Sequence, residues 1–255
     1  MNHLAKSVAY KALDLVTRRR GVRRWIAGET FRMPARWSRY YPGDYELATF
    51  EFLREWCRPG DTVMDAGSHL GLFTVCMSRL VGPSGRVLAY EPTPHTCAVL
   101  RETVRINHCE SNVLVQNKAV AKGQGCASFF ETGDVVSNAN SLVRNKRSKR
   151  EIAVETVSID QEVPPGRNVR LLKIDVEGAE LDVLRGACRT LASSRPLVHL
   201  SLHPAQIREN GGTMEEVWDL LRDFRMEVFH DRKIVPRPWF RDREELLDVQ
   251  ALPST

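Results

Sequence analysis

The stretch Thr62-Val-Met-Asp-Ala-Gly-Ser-His-Leu-Gly-Leu-Phe73 constrains the fold of this chain more than any other. An apolar run closes on Asp65, turns through glycine and leads into a helix. A second apolar run closes on Glu91, twenty residues beyond Gly71. This order describes a βαβ unit that grips a ribose and a polar tail: glycine permits the sharp strand-to-helix turn, and the second acid accepts from the ribose hydroxyls. A dinucleotide turn needs Gly-x-Gly-x-x-Gly, its middle glycine letting the backbone approach a pyrophosphate. Here Ser68, His69 and Leu70 separate Gly67 from Gly71, so a histidine stands where bare backbone is required. S-adenosylmethionine has no phosphate and carries an ammonium and a sulfonium, which suits Asp65 beside a turn that keeps its side chains. The expected cofactor contacts are therefore Asp65, Gly67, Ser68, His69, Gly71 and Glu91.

A chain of 255 residues is long enough for one α/β domain with a continuous core. Pro59-Gly60 divides an N-terminal basic and aromatic extension, residues 1–58, from the core domain, residues 59–255. No apolar run reaches the roughly 18 residues of a membrane span, and the N-terminus lacks the apolar block of a signal peptide. A soluble, cytoplasmic protein is the expectation. The six cysteines form no Cys-x-x-Cys pair and mostly sit in apolar periodic segments, so they read as reduced core thiols. The net charge of +5 is concentrated in Arg18, Arg19, Arg20, Arg23 and Arg24 and in Arg144, Lys146, Arg147, Lys149 and Arg150. Both clusters point to an anionic partner. The first follows an amphipathic helix over residues 4–17, whose apolar positions suit packing on the domain or weak association with a membrane surface.

Beyond residue 60 the chain alternates strand and helix, the pattern of a doubly wound, mostly parallel sheet. Strands are predicted at 62–66, 86–90, 113–117, 170–175 and 197–202, and helices at 70–80, 95–107, 179–192 and 213–223. An insertion adds short strands at 127–131 and 152–157 around a polar loop, residues 133–150. The tail offers strands at 226–229 and 248–252, the latter suited to an antiparallel position at the sheet edge.

In such a sheet the ligand lies outside the carboxyl ends of the strands. Those ends are polar here: Asp65, Glu91, Asn117, Asp175, and Ser201 with His203. Asn117 suits an adenine contact. The fourth strand runs Leu171-Leu-Lys-Ile-Asp-Val-Glu-Gly-Ala-Glu180, and Lys173 within it requires a carboxylate partner, because an unpaired buried ammonium is costly. Asp175 and Glu177 fall near the transferred methyl, where they can deprotonate an acceptor, bind a metal or hold the methionine amino group. His199, Ser201 and His203 share one strand face. His203, last before Pro204, faces the cleft; His199 reads as a core residue.

These residues together resemble the FkbM-like family of S-adenosylmethionine-dependent methyltransferases, whose signature is Asp-x-Gly-Ala-Asn-x-Gly, a Glu-Pro after strand two, and Lys-x-Asp-x-Glu-Gly-x-Glu after strand four. Lys173, Asp175, Glu177, Gly178 and Glu180 match the last block in full, and the resemblance spans roughly residues 40–205. Two positions depart from the family: Ser68-His69 replaces Ala-Asn, and Ser201 replaces a glutamate two residues before the histidine. The resemblance implies a class I Rossmann-like fold and methylation of hydroxyl groups on sugars or natural products.

The reading is thus an O-methyltransferase using S-adenosylmethionine, with Asp175, Glu177 and His203 as catalytic residues. Asp175 or His203 acts as base, or the two hold a divalent metal. The expected acceptor is a small molecule, an anionic one such as a nucleotide sugar or lipid-linked saccharide if the basic clusters serve it. Two rivals stand beside this reading. A nicotinamide oxidoreductase shares the βαβ unit, but the chain lacks a Tyr-x-x-x-Lys pair. A nucleic-acid methyltransferase or binding module would use the basic clusters, but the chain lacks the Asn/Asp-Pro-Pro-Tyr/Phe motif of base amino-methylases, and no nucleic acid is expected.

Overall fold

The computed structural model describes residues 12, 16, 17, 20–132, 137, 140–144, 148–164 and 166–254. The helix expected over residues 4–17 lies outside them except at Ala12, Val16 and Thr17, as do Arg18, Arg19, Lys146 and Arg147. The described chain opens with a hairpin absent from the sequence reading, β1 (Val22–Ile26) and β2 (Glu29–Met33). Ala27 and Gly28 join the two strands with positive φ at both positions, the two-residue turn whose twist matches that of paired strands. Helix α1 (Leu47–Trp56) follows. Ile26, Phe31 and Met33 pack with Phe50 and Leu53 of α1 into the same cluster as Val63, Val75 and Leu171. The N-terminal segment therefore completes one face of the core.

The sheet begins at β3 (Thr62–Ala66). Helix α2 (Leu72–Val81) leads to β4 (Arg86–Tyr90), and α3 (Pro94–Ile106) to β5 (Val113–Gln116). Nearly every α2 side chain is buried, because this helix lies between the sheet and the N-terminal elements and has no solvent face. The insertion forms a separate small sheet, with β6 (Ala119–Val120) and β7 (Gly125–Glu131) flanking β8 (Arg150–Val157). After the short α4 (Ile159–Glu162), strand β9 (Leu171–Ile174) returns to the main sheet. The single helix expected over 179–192 is broken at Gly186-Ala187 into α5 (Glu180–Arg185) and α6 (Cys188–Ser194). There follow β10 (Leu197–Leu202), α7 (Pro204–Glu209), α8 (Met214–Asp223), β11 (Met226–His230), β12 (Lys233–Ile234), α9 (Arg237–Arg241) and β13 (Leu247–Pro253).

The main sheet runs β12-β11-β13-β10-β9-β3-β4-β5. Strands β10, β9, β3, β4 and β5 are parallel, and β13 is antiparallel to both β10 and β11. The antiparallel strand expected at the edge is thus interior, covered by the β11–β12 hairpin. From β3 the chain winds outward through β4 and β5, then crosses to β9 on the other side, so the strand order reverses between β3 and β9. Such a switch point leaves a crevice at the carboxyl ends of the strands. Four cysteines are buried as expected, whereas Cys126 and Cys188 are exposed, since each faces away from its local core. Among the described residues no helix is long and apolar enough to cross a membrane.

At the switch point, Gly67 has φ of 84°, and a Cβ there would lie 1.8 Å from the carbonyl oxygen of Asp175. Gly67→Ala should destabilise the fold by about 3 kcal/mol, the order expected for left-handed strain with a backbone clash. Urea unfolding of the variant is the check.

Candidate active site

The loop after β3 is fastened to the end of β4. The backbone N–H groups of Gly67 and Ser68 both donate to the carbonyl of Tyr90, at 3.0 and 2.9 Å. The Ser68 hydroxyl donates back to the Asp65 carbonyl at 2.8 Å. His69, itself left-handed, donates its backbone N–H to Glu91 Oε2 at 3.1 Å, while Thr93 N–H donates to Oε1 at 2.9 Å. Burial pushes the Glu91 carboxyl up to about 7, the backbone donors of Thr93 and His69 only partly opposing it. The His69 ring meets the Tyr41 hydroxyl through Nδ1 at 3.0 Å, and its buried Nε2 has no partner among the described residues. Burial lowers this imidazole to about 4, so the ring is neutral.

Lys173 organises the other end. Its ammonium is buried 3.4 Å from Asp175 Oδ2, 3.8 Å from Asp65 Oδ1 and 5.0 Å from the centre of the Phe73 ring. Burial alone would lower this lysine, but Asp175, Asp65 and Glu46 outweigh it and hold the charge in place. Asp65 is fully buried and also accepts the Thr74 hydroxyl at 2.6 Å.

Beyond Asp175 the chain turns through Glu177, which has a left-handed backbone. His203 bridges two carboxylates, with Nε2 3.3 Å from Glu177 Oε2 and Nδ1 2.8 Å from Glu180 Oε1. Burial would lower this imidazole; the two carboxylates override it and raise it to about 11. The two carboxylates thereby favour the imidazolium form of His203, which the sequence names with Asp175 as base or metal ligand. Asp175, Glu177 and His203 also offer one ligand atom each, all within 4.8 Å of one another.

One cleft is lined by Gly67, Ser68, His69, Glu91, Asp175, Glu177 and His203. Three expected contacts are not in its wall. Asp65 lies beneath the loop as partner of Lys173 and Thr74. A Cβ on Gly71 would meet Leu100 Cδ1 at 2.5 Å, so this glycine serves the packing of α2 on α3. The Asn117 amide donates to the carbonyls of Glu91 and Pro92 at 2.9 and 2.8 Å and shapes the turn after Glu91.

Sequence reasoning missed two cleft carboxylates. Glu46 precedes α1 with φ of 39° and does not cap the helix with its side chain. Its carboxylate accepts from the hydroxyls of Thr49, at 3.3 Å, and Tyr45, and burial raises it despite Lys173. Asp248 of β13 accepts the Ser201 hydroxyl at 2.7 Å. Neither carries a local signal, because both reach the cleft through long-range packing. Tyr41 and Tyr45 from the aromatic segment also line the cleft, whereas Trp37 packs against His95.

The profile of the methyltransferase FkbM domain matches residues 65–228. "Methyltransferase 1" of Beauveria bassiana is 30% identical over 165 residues, covering 56% of this chain and 61% of the relative. The hexuronic acid methyltransferase AglP of Haloferax volcanii is 28% identical over 151 residues, covering 58% of this chain and 59% of the relative. The chain thus spans about three fifths of the length of these curated relatives. The crystal structure of methyltransferase FkbM from Methylobacillus flagellatus superposes with a TM-score of 0.50 at 15% identity, covering 80% of this chain and 51% of that one. That likeness is one of fold.

Lys173→Met removes the cation from two neighbouring carboxylates and should cost about 3–5 kcal/mol of stability, the range for breaking a buried pair. Part of the loss should return when Asp65→Asn is added. Denaturant unfolding of the single and double variants is the check, and additivity of the two changes would show that the pair is not coupled.

Proposed function

The chain belongs to the FkbM methyltransferase family, and we propose that it binds S-adenosylmethionine in the cleft and transfers the methyl to a hydroxyl of a sugar or other small natural-product acceptor. The observation that carries the reading is the sorting of charge along the cleft. Glu91 stands at one end with neutral donors only, and the Lys173–Asp175 pair stands at the other beside Glu46.

The residues fit the cofactor. A carboxylate has about four acceptor sites, and each Glu91 oxygen takes one backbone N–H, which leaves capacity for two ribose hydroxyls. With the Tyr41 phenol donating to Nδ1, the proton of the neutral His69 ring sits on Nε2, an unpartnered donor suited to the methionine carboxylate. Asp175 offers negative charge to the ammonium and sulfonium. When bound, the cofactor supplies an electrophilic methyl.

The rest falls to this chain. Orientation of a hydroxyl toward the methyl is worth about 7–11 kcal/mol, and removal of its proton by a positioned base about 10²–10⁴ in rate. Asp175 is tied to Lys173, and Glu177 to the His203 imidazolium. The Glu46 side chain has hydroxyl partners and, among the described residues, forms no ion pair. Glu46 is therefore the carboxylate best placed to accept the acceptor's proton, and Asp175 holds the cationic end of the cofactor. A relative named as a hexuronic acid methyltransferase supports a sugar as the acceptor.

A second reading rests on the Asp175–Glu177–His203 triangle, which would hold a divalent cation with Glu180 orienting the histidine. Such an ion would acidify a bound hydroxyl. Loss of turnover on chelation, restored by magnesium, would favour it.

Two predictions test the cleft. The ionised form of Glu91 is the one that accepts from both ribose hydroxyls, and its carboxyl titrates near 7 in the free cleft. Affinity for S-adenosylmethionine should therefore fall as pH drops from about 8 to about 6, since the carboxyl gains a proton. Glu91→Gln should bind more weakly by about 1.5–3 kcal/mol and show no such dependence, by calorimetry. Glu46→Gln should lower kcat by about 10² or more with cofactor affinity kept within a few-fold. A larger kcat loss in Asp175→Asn, with unchanged cofactor affinity, would transfer the base role to Asp175.

A further inference from the structure

The cleft encloses about 180 Å³. A cofactor the size of S-adenosylmethionine takes up that room, so the body of an acceptor must rest elsewhere with only its reacting hydroxyl reaching in. A groove of about 660 Å³ adjoins the cleft, within the range of about 300–1,000 Å³ usual for small-molecule sites. Leu246 and Asp248 line both spaces, so the two adjoin at these residues. One wall of the groove is α1, through Phe52 and Trp56; the opposite wall includes Phe229 of β11.

The charge of this groove is opposite to that of the chain. Among the described residues, Glu51 and Glu55 of α1, Asp231 of the β11–β12 turn and Asp248 at the junction face it, against one guanidinium, Arg232. Arg232 lies 3.4 Å from Glu55 and 3.9 Å from Glu51, so it offsets one of these charges and leaves the acids in excess. His230 is held through Nδ1 on the Asp248 carbonyl at 2.8 Å and through Nε2 near Asp231 at 3.5 Å. Concave walls of one sign concentrate the potential of that sign, and aromatic faces add attraction for a cation.

We infer that this groove is the acceptor site and that its occupant is an amino-bearing, hydroxylated molecule with an apolar face, of the amino-sugar glycoside class, entering with its reacting hydroxyl past Asp248. The inference rests on reading the cleft as the cofactor site. It replaces the anionic acceptor expected from the basic segments. Of those residues, Arg144 and Arg150 lie 3.6 Å from Glu151 and Glu131 respectively, so their charge is met within the chain.

Three probes that differ only in charge test it: the 4-nitrophenyl β-glycosides of glucosamine, glucose and glucuronic acid. Each is titrated into the full ¹⁵N-labelled chain with and without S-adenosylhomocysteine, and the indole N–H of Trp56, assigned through Trp56→Phe, reports on the groove. The glucosaminide should bind at least about ten-fold more tightly than the glucuronide, with the glucoside between them. The double change Glu51→Gln, Glu55→Gln should abolish or reverse that order. A preference for the glucuronide, an order that survives the double change, or no response of Trp56 to any probe overturns the inference. Calorimetry with S-adenosylhomocysteine separates the two readings. Binding of that ligand without any probe in the groove overturns only the acceptor site, whereas a glucosaminide in the groove of a chain that does not bind it overturns only the cofactor reading.

Discussion

The buried ammonium of Lys173 is the interaction on which the rest of the site depends. Strand register sets Asp65 of β3 beside it on one side and His199 of β10 on the other, and Gln250 of β13 beside His199. A polar row therefore crosses four strands of an otherwise apolar sheet. It is tolerable only because its members meet partners: Lys173 meets Asp65 and Asp175, and His199 meets Thr49 and Gln250. The row also fixes the pairing of the strands. A slip of one residue would turn Lys173 to the other face of the sheet, into a layer of aliphatic side chains.

From that cation outward, the carboxylates of the cleft are distinguished by what each accepts. Glu91 takes backbone N–H groups, Asp175 an ammonium, Glu177 an imidazolium, and Glu46 and Asp248 hydroxyls. Five acids of similar intrinsic strength thereby become different groups. Those tied to cations are held in position by them, whereas Glu46, whose desolvation is opposed only by hydroxyls and a more distant ammonium, is drawn toward the protonated form. His203 belongs to this scheme as a fixed positive charge that keeps Glu177 and Glu180 together where the chain turns out of β9.

The parallel strands were legible because each is a short apolar run closed by a polar residue, and a doubly wound sheet places those closing residues at the ligand. This logic located Glu91, Asp175, Glu177 and His203 in the cleft wall. It also swept in Asp65 and Asn117, whose side chains turn under the loop and toward the backbone; the end of a strand specifies a place, but not which way a side chain points from it. The β1–β2 hairpin was hidden by its arginines. Arg23 and Arg24 read as part of a basic helical face, whereas the buried residues that make the hairpin, Ile26, Phe31 and Met33, straddle a turn at Ala27-Gly28 without the usual Asn-Gly signal. Glu46 and Asp248 had no local signature, since their place at the cleft follows from how α1 and β13 pack over the sheet.

The division between what was legible and what was not follows a division in the molecule. The loop after β3, Glu91, the Lys173 block and His203 all fall within residues 65–228, the span that matches the family profile. The walls of the groove lie outside it: α1 comes before, and Phe229 to Arg232 and β13 come after. Cofactor chemistry is common to a family, so the elements that hold the cofactor carry its motifs. The flanking elements pack on the shared sheet through apolar contacts that many sequences satisfy, so they carry no such signature. Glu46 belongs to the flanking set and yet lines the same cleft as Asp175 and Glu91. In this chain the proton acceptor would therefore travel with the acceptor site and not with the cofactor site, which ties the removal of the proton to the presence of the hydroxyl that supplies it.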